Sequence, residues 1–287
     1  MSLEAFARER GYLVRLAYRM LGSVADAEDA VQDTYLRWQA AGEPALDTPR
    51  AWFTRTCTRL CLDRLKSAHR TREQYVGEWL PEPFVDDSET RAVLDESLSM
   101  ALLATIERLT PAERAAFLLH DVFDYGFDDI ASMLELSPAN CRQLATRARR
   151  HLAGDRVRAP HDAGTVQRLG QAFFAAIRGG DLAGLQAVLS EDVVLRADGG
   201  GKVSAARRPV EGRTAVLDFL QAIFMRGEAF RPEVREHWFN GAPGMLVFDA
   251  GQLVSAFHFE VHDGRIAGIF VQRNPDKLGG FVAVTPH

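Results

Sequence analysis

The residues in this chain whose types and spacing suit chemistry are arginines and amides. The chemistry they suit is holding a polyanion and reading it. From Arg50 to Arg72 the chain carries seven Lys or Arg against one acid, Asp63, and from Asn140 to Arg158 six Arg against one acid, Asp155. Between the two blocks, Glu78–Glu96 carries seven acids and only Arg91 of opposite sign, a contrast hidden by the net charge of −5. Two basic stretches parted by an acidic connector are what a chain needs to grip nucleic acid at two points and keep its joint off the phosphates. The second block opens on Asn140, Arg142 and Gln143; Asn and Gln pair bidentately with adenine and Arg with guanine. Arg147, Arg149 and Arg150, further along, suit phosphates. The plainer reading of each block is a solvated Arg-rich helix face.

The elements that must position these groups follow from the apolar periodicity. Residues 3–40 read as two helices broken at Gly22-Ser23. Leu13, Leu16, Ala17, Met20 and Leu21 form the first stripe, and Ala27, Ala30, Val31, Thr34, Tyr35 and Trp38 the second, with Asp26 as the expected cap of the second helix. Pro49 sits where a helix can begin, and Ala51–His69 continues it. Trp38 and Trp52 lie on apolar stripes and read as core. In Gly77–Asp87, two prolines one apart in Trp79-Leu80-Pro81-Glu82-Pro83 exclude helix and favour an extended path. Helix is expected again over Glu89–Leu109, and Thr110-Pro111-Ala112-Glu113 is a capping-box start for Ala115–Val122. Phe127–Leu134, the turn through Glu135, and Ala139–Leu152 then make a helix-turn-helix, although Glu135 stands where such turns often have Gly. The alternative is a helix pair used for packing alone.

Beyond the polar connector Gly154–Gly164 the pattern changes. Val166–Ile177, Leu182–Leu189 and Arg213–Met225 read as helices and Val193–Ala197 as a strand. From Glu233 the period becomes two, with strands expected at Val234–Phe239, Met245–Phe248, Leu253–Glu260 and Arg265–Gln272 and turns at Asn240-Gly241, Ala250-Gly251 and Asp263-Gly264. Helices followed by an antiparallel meander make an α+β domain.

A chain of 287 residues has room for about two or three domains. It has no run near the roughly 18 apolar residues of a membrane span and no signal-peptide core at its charged N-terminus. The expected location is the cytoplasm, with no membrane partner. Three cysteines make no disulfide framework. Cys57 and Cys61 share a helix face and read as small core residues rather than half of a metal site. No metal and no cofactor are expected.

Ala17–Trp38 (AYRMLGSVADAEDAVQDTYLRW) and residues 49–73 (PRAWFTRTCTRLCLDRLKSAHRTRE) resemble region 2 of bacterial extracytoplasmic-function sigma factors. Residues 109–152 (LTPAERAAFLLHDVFDYGFDDIASMLELSPANCRQLATRARRHL) resemble region 4 of the same family. The second half resembles the SnoaL-like domains of the nuclear-transport-factor-2-like superfamily, helices and a curved sheet wrapped into a cone. A subgroup of these sigma factors carries such a domain in cis and shares three signatures. All three are in this chain: WLPEP at Trp79–Pro83, DGGGK at Asp198–Lys202 and NPDKL at Asn274–Leu278.

The resemblance implies two all-α sigma domains, a region 2 bundle over 1–75 and a region 4 helix-turn-helix over 96–155, with a linker over 76–95. An α+β cone-shaped SnoaL-like domain follows over 163–287. It implies promoter-specific transcription initiation, with core RNA polymerase and promoter DNA as partners. Asp26, Glu28, Asp29, Gln32 and Asp33 then match the polymerase-docking face, and Arg55, Arg59, Arg64, Lys66, Ser67 and Arg70 the −10 surface. Asn140, Arg142, Gln143, Arg147, Arg149 and Arg150 match the −35 reader. The three signatures are implied to modulate sigma activity in cis: Trp79, Pro81 and Pro83; Asp198, Gly199, Gly200, Gly201 and Lys202; Asn274, Pro275, Asp276, Lys277 and Leu278.

Three points stay open in the sequence. Trp79 is a large apolar anchor suited to a groove. The glycine loop, or the nearby segment after Leu278, is expected at an interface with the linker or sigma domains, lining the cone pocket being the alternative for the loop, and a phosphate nest beside Lys202 is conceivable. The cone leaves room for a small ligand, and cones of this kind elsewhere hold isomerases and cyclases. His237, Asp249, His258 and Glu260 lie on or near the strands; alternation from Leu253 puts Val254, Ala256, His258 and Glu260 on one face, and His258 with Glu260 reads as solvent-facing or at the rim rather than catalytic. No bond-changing activity is expected. The competing readings are a protein whose second domain is an isomerase or cyclase, and a DNA-binding regulator that acts without polymerase.

Overall fold

The computed structural model describes residues 2–42, 48–72, 75–85, 99–153, 162–224 and 232–284. They form two compact units, Met1–Gln74 with Leu103–Val157, and Tyr75–Leu102 with Arg158–His287. The expected helix start at Glu89, most of the 154–164 connector and the end of the acidic linker fall outside the described residues.

In the first unit, α1 (Ser2–Leu21), α2 (Val24–Ala40) and α3 (Pro49–Arg72) form a bundle. Their apolar stripes meet in a core of Leu13, Leu16, Met20, Ala27, Val31, Phe53, Cys57, Cys61 and Leu65, all nearly solvent-free. Trp38 is in that core, edge-on to Phe53 at 5.3 Å, whereas Trp52 is only half-buried. The cap of α2 is Ser23, whose hydroxyl accepts from the Asp26 N–H, so Asp26 is a first-turn acid and not the cap. α4 (Met100–Ile106), which belongs to this unit from Leu103 on, precedes α5 (Pro111–Phe117), which starts on the full Thr110–Glu113 capping box. The chain runs on from α5 into one π-helical turn, Leu118–Val122. α6 (Phe127–Leu134) and α7 (Pro138–Ala153) are the helix-turn-helix pair.

In the second unit, α8 (Ala163–Gly179) and α9 (Leu182–Val188) lead into β1 (Leu189–Asp198). Then come β2 (Val210–Glu211), α10 (Arg213–Phe224), β3 (Glu233–Phe239), β4 (Ala242–Asp249), β5 (Gln252–His262) and β6 (Arg265–Gln272). The sheet order is β2-β1-β6-β5-β4-β3. The meander β3–β6 is antiparallel as expected, and its three turns have both central residues at positive φ, the geometry that matches strand twist. What the meander pattern does not contain is β1, which lies parallel to β6, and the short β2 beyond it.

Both faces of the sheet are covered. One face packs Phe257, Phe259, Val261 and Ile269 against Phe173 and Phe174 of α8. The other gathers Phe239, Leu246, Phe248 and Ala256 under Leu278 and Phe281 from the two 3-10 turns, Pro275–Lys277 and Gly279–Val284, that follow β6. A bulge in the pairing between Val247 and Phe248 turns Val254 to the same side as Ser255 and Phe257, so the simple alternation breaks there. His258 is buried rather than solvent-facing, with its ring against Phe239 and Phe270, and burial pushes its pKa down to about 4.

Candidate nucleic-acid interface and linker seat

Helix α7, the second of the helix-turn-helix pair, divides its residues by face. Cys141, Ala145 and Ala148 are buried, while Asn140, Arg142, Gln143, Arg147, Arg149 and Arg150 are exposed. Ser137 caps α7 through the Asn140 N–H, so the first turn, where base-reading residues belong, is fixed. Glu135 takes the left-handed conformation at the turn, φ 56°, where Gly would be unstrained. Its carboxylate is held by Arg59, 2.6 Å away, whose Nε also donates to the Met133 carbonyl. Arg149 is paired bidentately with Asp121, at 2.8 and 3.0 Å. Arg59 and Arg149, both offered to DNA by the sequence, are therefore engaged with carboxylates in this conformation.

On the other basic helix, Arg55, Lys66 and Ser67 are exposed, Lys66 beside Asp63 at 3.7 Å, and the Arg70 side chain lies outside the described residues. Arg64 turns to α2. Its guanidinium bonds Asp33 at 2.7 Å, with Asp29 at 3.8 Å and Asp26 at 4.0 Å. The sequence-read polymerase face, including exposed Glu28 and Gln32, thus shares one ion cluster with the −10 set. Within this unit α3 also packs on α5 and α6: the Tyr125 hydroxyl meets those of Tyr12 at 3.0 Å and Thr54 at 3.1 Å, and buried Arg114 donates to the Met20 carbonyl and to Glu107.

In the second unit the three signatures converge on one carboxylate. Asp198 ends β1 with no solvent exposure. Its Oδ1 accepts from the Tyr75 hydroxyl at 2.6 Å and the Gly200 N–H at 2.9 Å; its Oδ2 accepts from the Leu80 N–H at 2.9 Å and from Lys277 Nζ at 2.7 Å. Lys277 also donates to the Leu80 carbonyl at 2.7 Å and sits 4.0 Å over the Trp79 ring. Burial, and next the bond to Asp198, push the Tyr75 phenol well above its ordinary range. Asn274 donates to the Tyr75 oxygen at 3.0 Å and caps the turn that carries Asp276 and Lys277. Gln272 donates to the Pro81 carbonyl, and Glu78 pairs with Arg196. Further along, the Asn240 carboxamide and backbone bind the Phe84 N–H and C=O, at 3.0 and 2.8 Å.

The extended segment is thus seated along the sheet, burying Leu80, 1% exposed, with Pro81 and Pro83; Trp79 is half-buried under Lys277. The glycine loop turns toward this seat. Gly200 is at φ +63° with the Asn274 carboxamide 2.5 Å from where a Cβ would stand, and Gly201 at φ +70° faces Val76. The phosphate-nest reading does not hold: the Gly200 N–H is taken by Asp198, and Lys202 is bidentate with Asp276 at 2.6 and 2.7 Å. The loop does not line the cone's cavity either, whose lining resumes at Ser204. Tyr75, Gln272 and Asn240 escaped the sequence reading. Asn240 carried only a turn signal, Gln272 only the end of a strand, and Tyr75 none.

Among the described residues no helix is long and apolar enough to cross a membrane, and no group of three or more His, Cys, Asp or Glu could hold a metal ion. Cys57 and Cys61 are buried in the bundle, where burial pushes the Cys61 thiol up.

Family models match this chain in three places: Sigma-70 region 2 over residues 5–71, Sigma-70 region 4 over 99–152 and the SnoaL-like domain over 171–269. The chain is 36% identical over 302 residues to the ECF RNA polymerase sigma factor SigJ of Mycobacterium tuberculosis, across 98% of this chain and 94% of that one. It is 32% identical over 291 residues to the probable ECF RNA polymerase sigma factor SigI of the same species, across 96% and 93%. The crystal structure of M. tuberculosis SigJ matches it with a TM-score of 0.79 at 32% identity, over 97% of this chain and 98% of that one. The chain belongs to the ECF RNA polymerase sigma factors whose two sigma regions are followed by a C-terminal SnoaL-like domain.

Proposed function

We propose that this sigma factor reads promoters with α3 and α7, and that its SnoaL-like domain controls the reading by holding the linker. Its partners are core RNA polymerase, docked on Asp26, Glu28, Asp29, Gln32 and Asp33, and promoter DNA, and it works in the cytoplasm. The −35 reader is Asn140, Arg142 and Gln143, with Arg147 and Arg150 on phosphates. The −10 surface is Arg55, Arg59, Arg64, Lys66, Ser67 and Arg70. Arg59 and Arg149 must exchange Glu135 and Asp121 for DNA when it binds. The observation that carries the control is Asp198, which gathers Tyr75, Leu80 and Lys277 and so ties the segment between the two sigma regions to the sheet. A linker bonded to a folded domain spans less conformational space than a free one, and the spacing of the two readers is restricted with it.

The protein catalyses no bond change in this reading. The polar groups lining the described part of the cone's cavity are Ser204, Ser255 and Arg273, and His258 lies on the opposite side of the sheet, among phenylalanines.

The test is transcription with core polymerase from promoters that differ at single −35 positions. Arg142→Ala should cost about 1–3 kcal/mol at one position and relax preference there, while Arg150→Ala should weaken all promoters alike. Asp198→Asn should change output without changing the preferred −35 base. An Arg142→Ala loss that is equal on every −35 variant would remove the base-reading role. Unaltered output from Asp198→Asn, with the linker shown to be released, would remove the control.

A further inference from the structure

The cone holds a cavity of about 320 Å³ between α10 and the sheet. Its walls are apolar: Leu195, Phe219, Leu220, Val247, Phe257 and Val271. Ile223, 45% exposed, also lines it. Arg273 also lines this space. Arg273 follows directly on β6, and its guanidinium donates one bond, to the Ser204 carbonyl. The buried Arg273 Nε makes no hydrogen bond, and no carboxylate pairs with Arg273 among the described residues. Partial burial lowers the pKa of the group. A buried guanidinium nitrogen with an unmade bond costs stability until an acceptor arrives. Its planar fork matches a carboxylate better than it matches any neutral group.

We propose that this cavity binds a small apolar carboxylate, its acid group on Arg273 beside Ser255 and its hydrocarbon part against Phe219, Val247 and Phe257. The volume is at the small end of the range for ligand sites, about 300–1,000 Å³, which suits a medium-length chain or a one- or two-ring acid. A phosphate ester fits worse, because one guanidinium and a hydroxyl leave a dianion short of donors in apolar surroundings. The site backs onto the linker seat: the Arg273 N–H donates to the Asp198 carbonyl at 2.7 Å, and Gln272 and Asn274 on either side hold Pro81 and Tyr75.

The experiment titrates full-length protein with decanoate and with decanol, both below their aggregation concentrations, by calorimetry and by thermal shift. The two probes share a ten-carbon chain and differ in the head group, a charged carboxylate against a neutral hydroxyl. Decanoate should bind at one site and raise the melting temperature, with decanol at least about tenfold weaker, as loss of a charged hydrogen-bonded pair requires. Arg273→Met should abolish the preference for decanoate. Equal binding of both probes, no binding of decanoate at millimolar concentration, or an undiminished preference in the variant would overturn the proposal. The comparison of probes on the unaltered protein decides the matter even where the variant fails to fold. Binding is read without polymerase or promoter, so its failure leaves the sigma assignment untouched.

Discussion

Asp198 in the second unit and Arg64 in the first are each one charge ringed by partners, and they do opposite work. Asp198 is solvent-free and receives four donors at 2.6–2.9 Å, only one of them charged. The Arg64 side chain is 31% exposed and faces three carboxylates that are themselves 44–64% exposed, with only Asp33 in hydrogen-bond range. In water the attraction between charges is screened to about 1 kcal/mol at contact, while a dry site multiplies it and also penalises any missing partner. Asp198 is therefore a joint whose parts stand or fall together. The Arg64 cluster is a reservoir of charge that can be redistributed when another surface arrives.

The strongest way to break this contrast is Asp198→Asn. Lys277, 13% exposed, would keep its charge and lose the carboxylate that stands 2.7 Å from it. The expected loss is about 3–5 kcal/mol in the second unit, the usual consequence of removing one partner of a buried pair. Denaturant melts would read it, and faster amide exchange at Leu80 and Phe84 would show the linker leaving its seat. A loss under about 1 kcal/mol would make Asp198 no different from a surface ion.

His258 sharpens the contrast from another side, as a buried titratable ring whose Nδ1 lacks a partner. Its folded pKa of about 4 lies below the ordinary 6.5, so between those values the unfolded chain takes up a proton that the fold refuses. Its contribution is complete above pH 6.5 and falls as pH drops toward 4. Between pH 7.5 and 5 the loss should be about 2 kcal/mol. His258→Phe should flatten that part of the pH profile relative to the unaltered protein. An unchanged slope would mean that water reaches the ring.

Gly200→Ala tests the seat at a single atom. The added methyl meets Asn274 in a left-handed conformation, so about 1–3 kcal/mol is expected in the same melts. Gly212, at φ +87° with nothing within 4 Å, is the control. Its alanine variant carries backbone strain alone and should cost less. Equal losses at the two positions would mean that Asn274 moves aside and that the close approach is unimportant.

Much of this architecture is legible locally. Asn240-Gly241, Ala250-Gly251 and Asp263-Gly264 sit between period-two runs, and Thr110-Pro111-Ala112-Glu113 announces its helix, because in each case the signal and the structure span the same few residues. What the sequence conceals depends on partners far along the chain. The pairing of β1 with β6 joins Leu195 to Ile269 and leaves no local trace. His258 looks solvent-facing because the phenylalanines that enclose it, and the segments that close over that face of the sheet, come from elsewhere in the chain. Val254 changes face because of a bulge set by β4. The site residues divide in the same way. Asn140, Arg142 and Gln143 are exposed as their helical spacing requires, whereas the partners of Arg59 and Arg149, Glu135 and Asp121, are a tertiary fact. The signatures at Trp79, Asp198 and Asn274 mark three strings in the sequence, and only folding reveals that they are one hydrogen-bonded unit.

The smallest effect on stability, and the sharpest test of the contrast, is expected from Arg64→Ala. Its ion pairs are open to water on the carboxylate side, so their loss should cost less than about 1 kcal/mol, and less still in high salt. The same substitution leaves Asp26, Asp29 and Asp33 without their shared counter-ion, on the face proposed to meet polymerase. Association with core polymerase should then become more dependent on ionic strength, since unpaired carboxylates steer a basic partner more strongly at low salt. Reversing Asp29 and Asp33 to Lys should instead abolish association while the melt stays within about 1 kcal/mol of the unaltered protein. If Arg64→Ala cost as much stability as Asp198→Asn, exposure would not be what separates the two clusters. Arg64 would then be a structural joint of the first unit, and the acidic face would have to be sought as a docking surface without it.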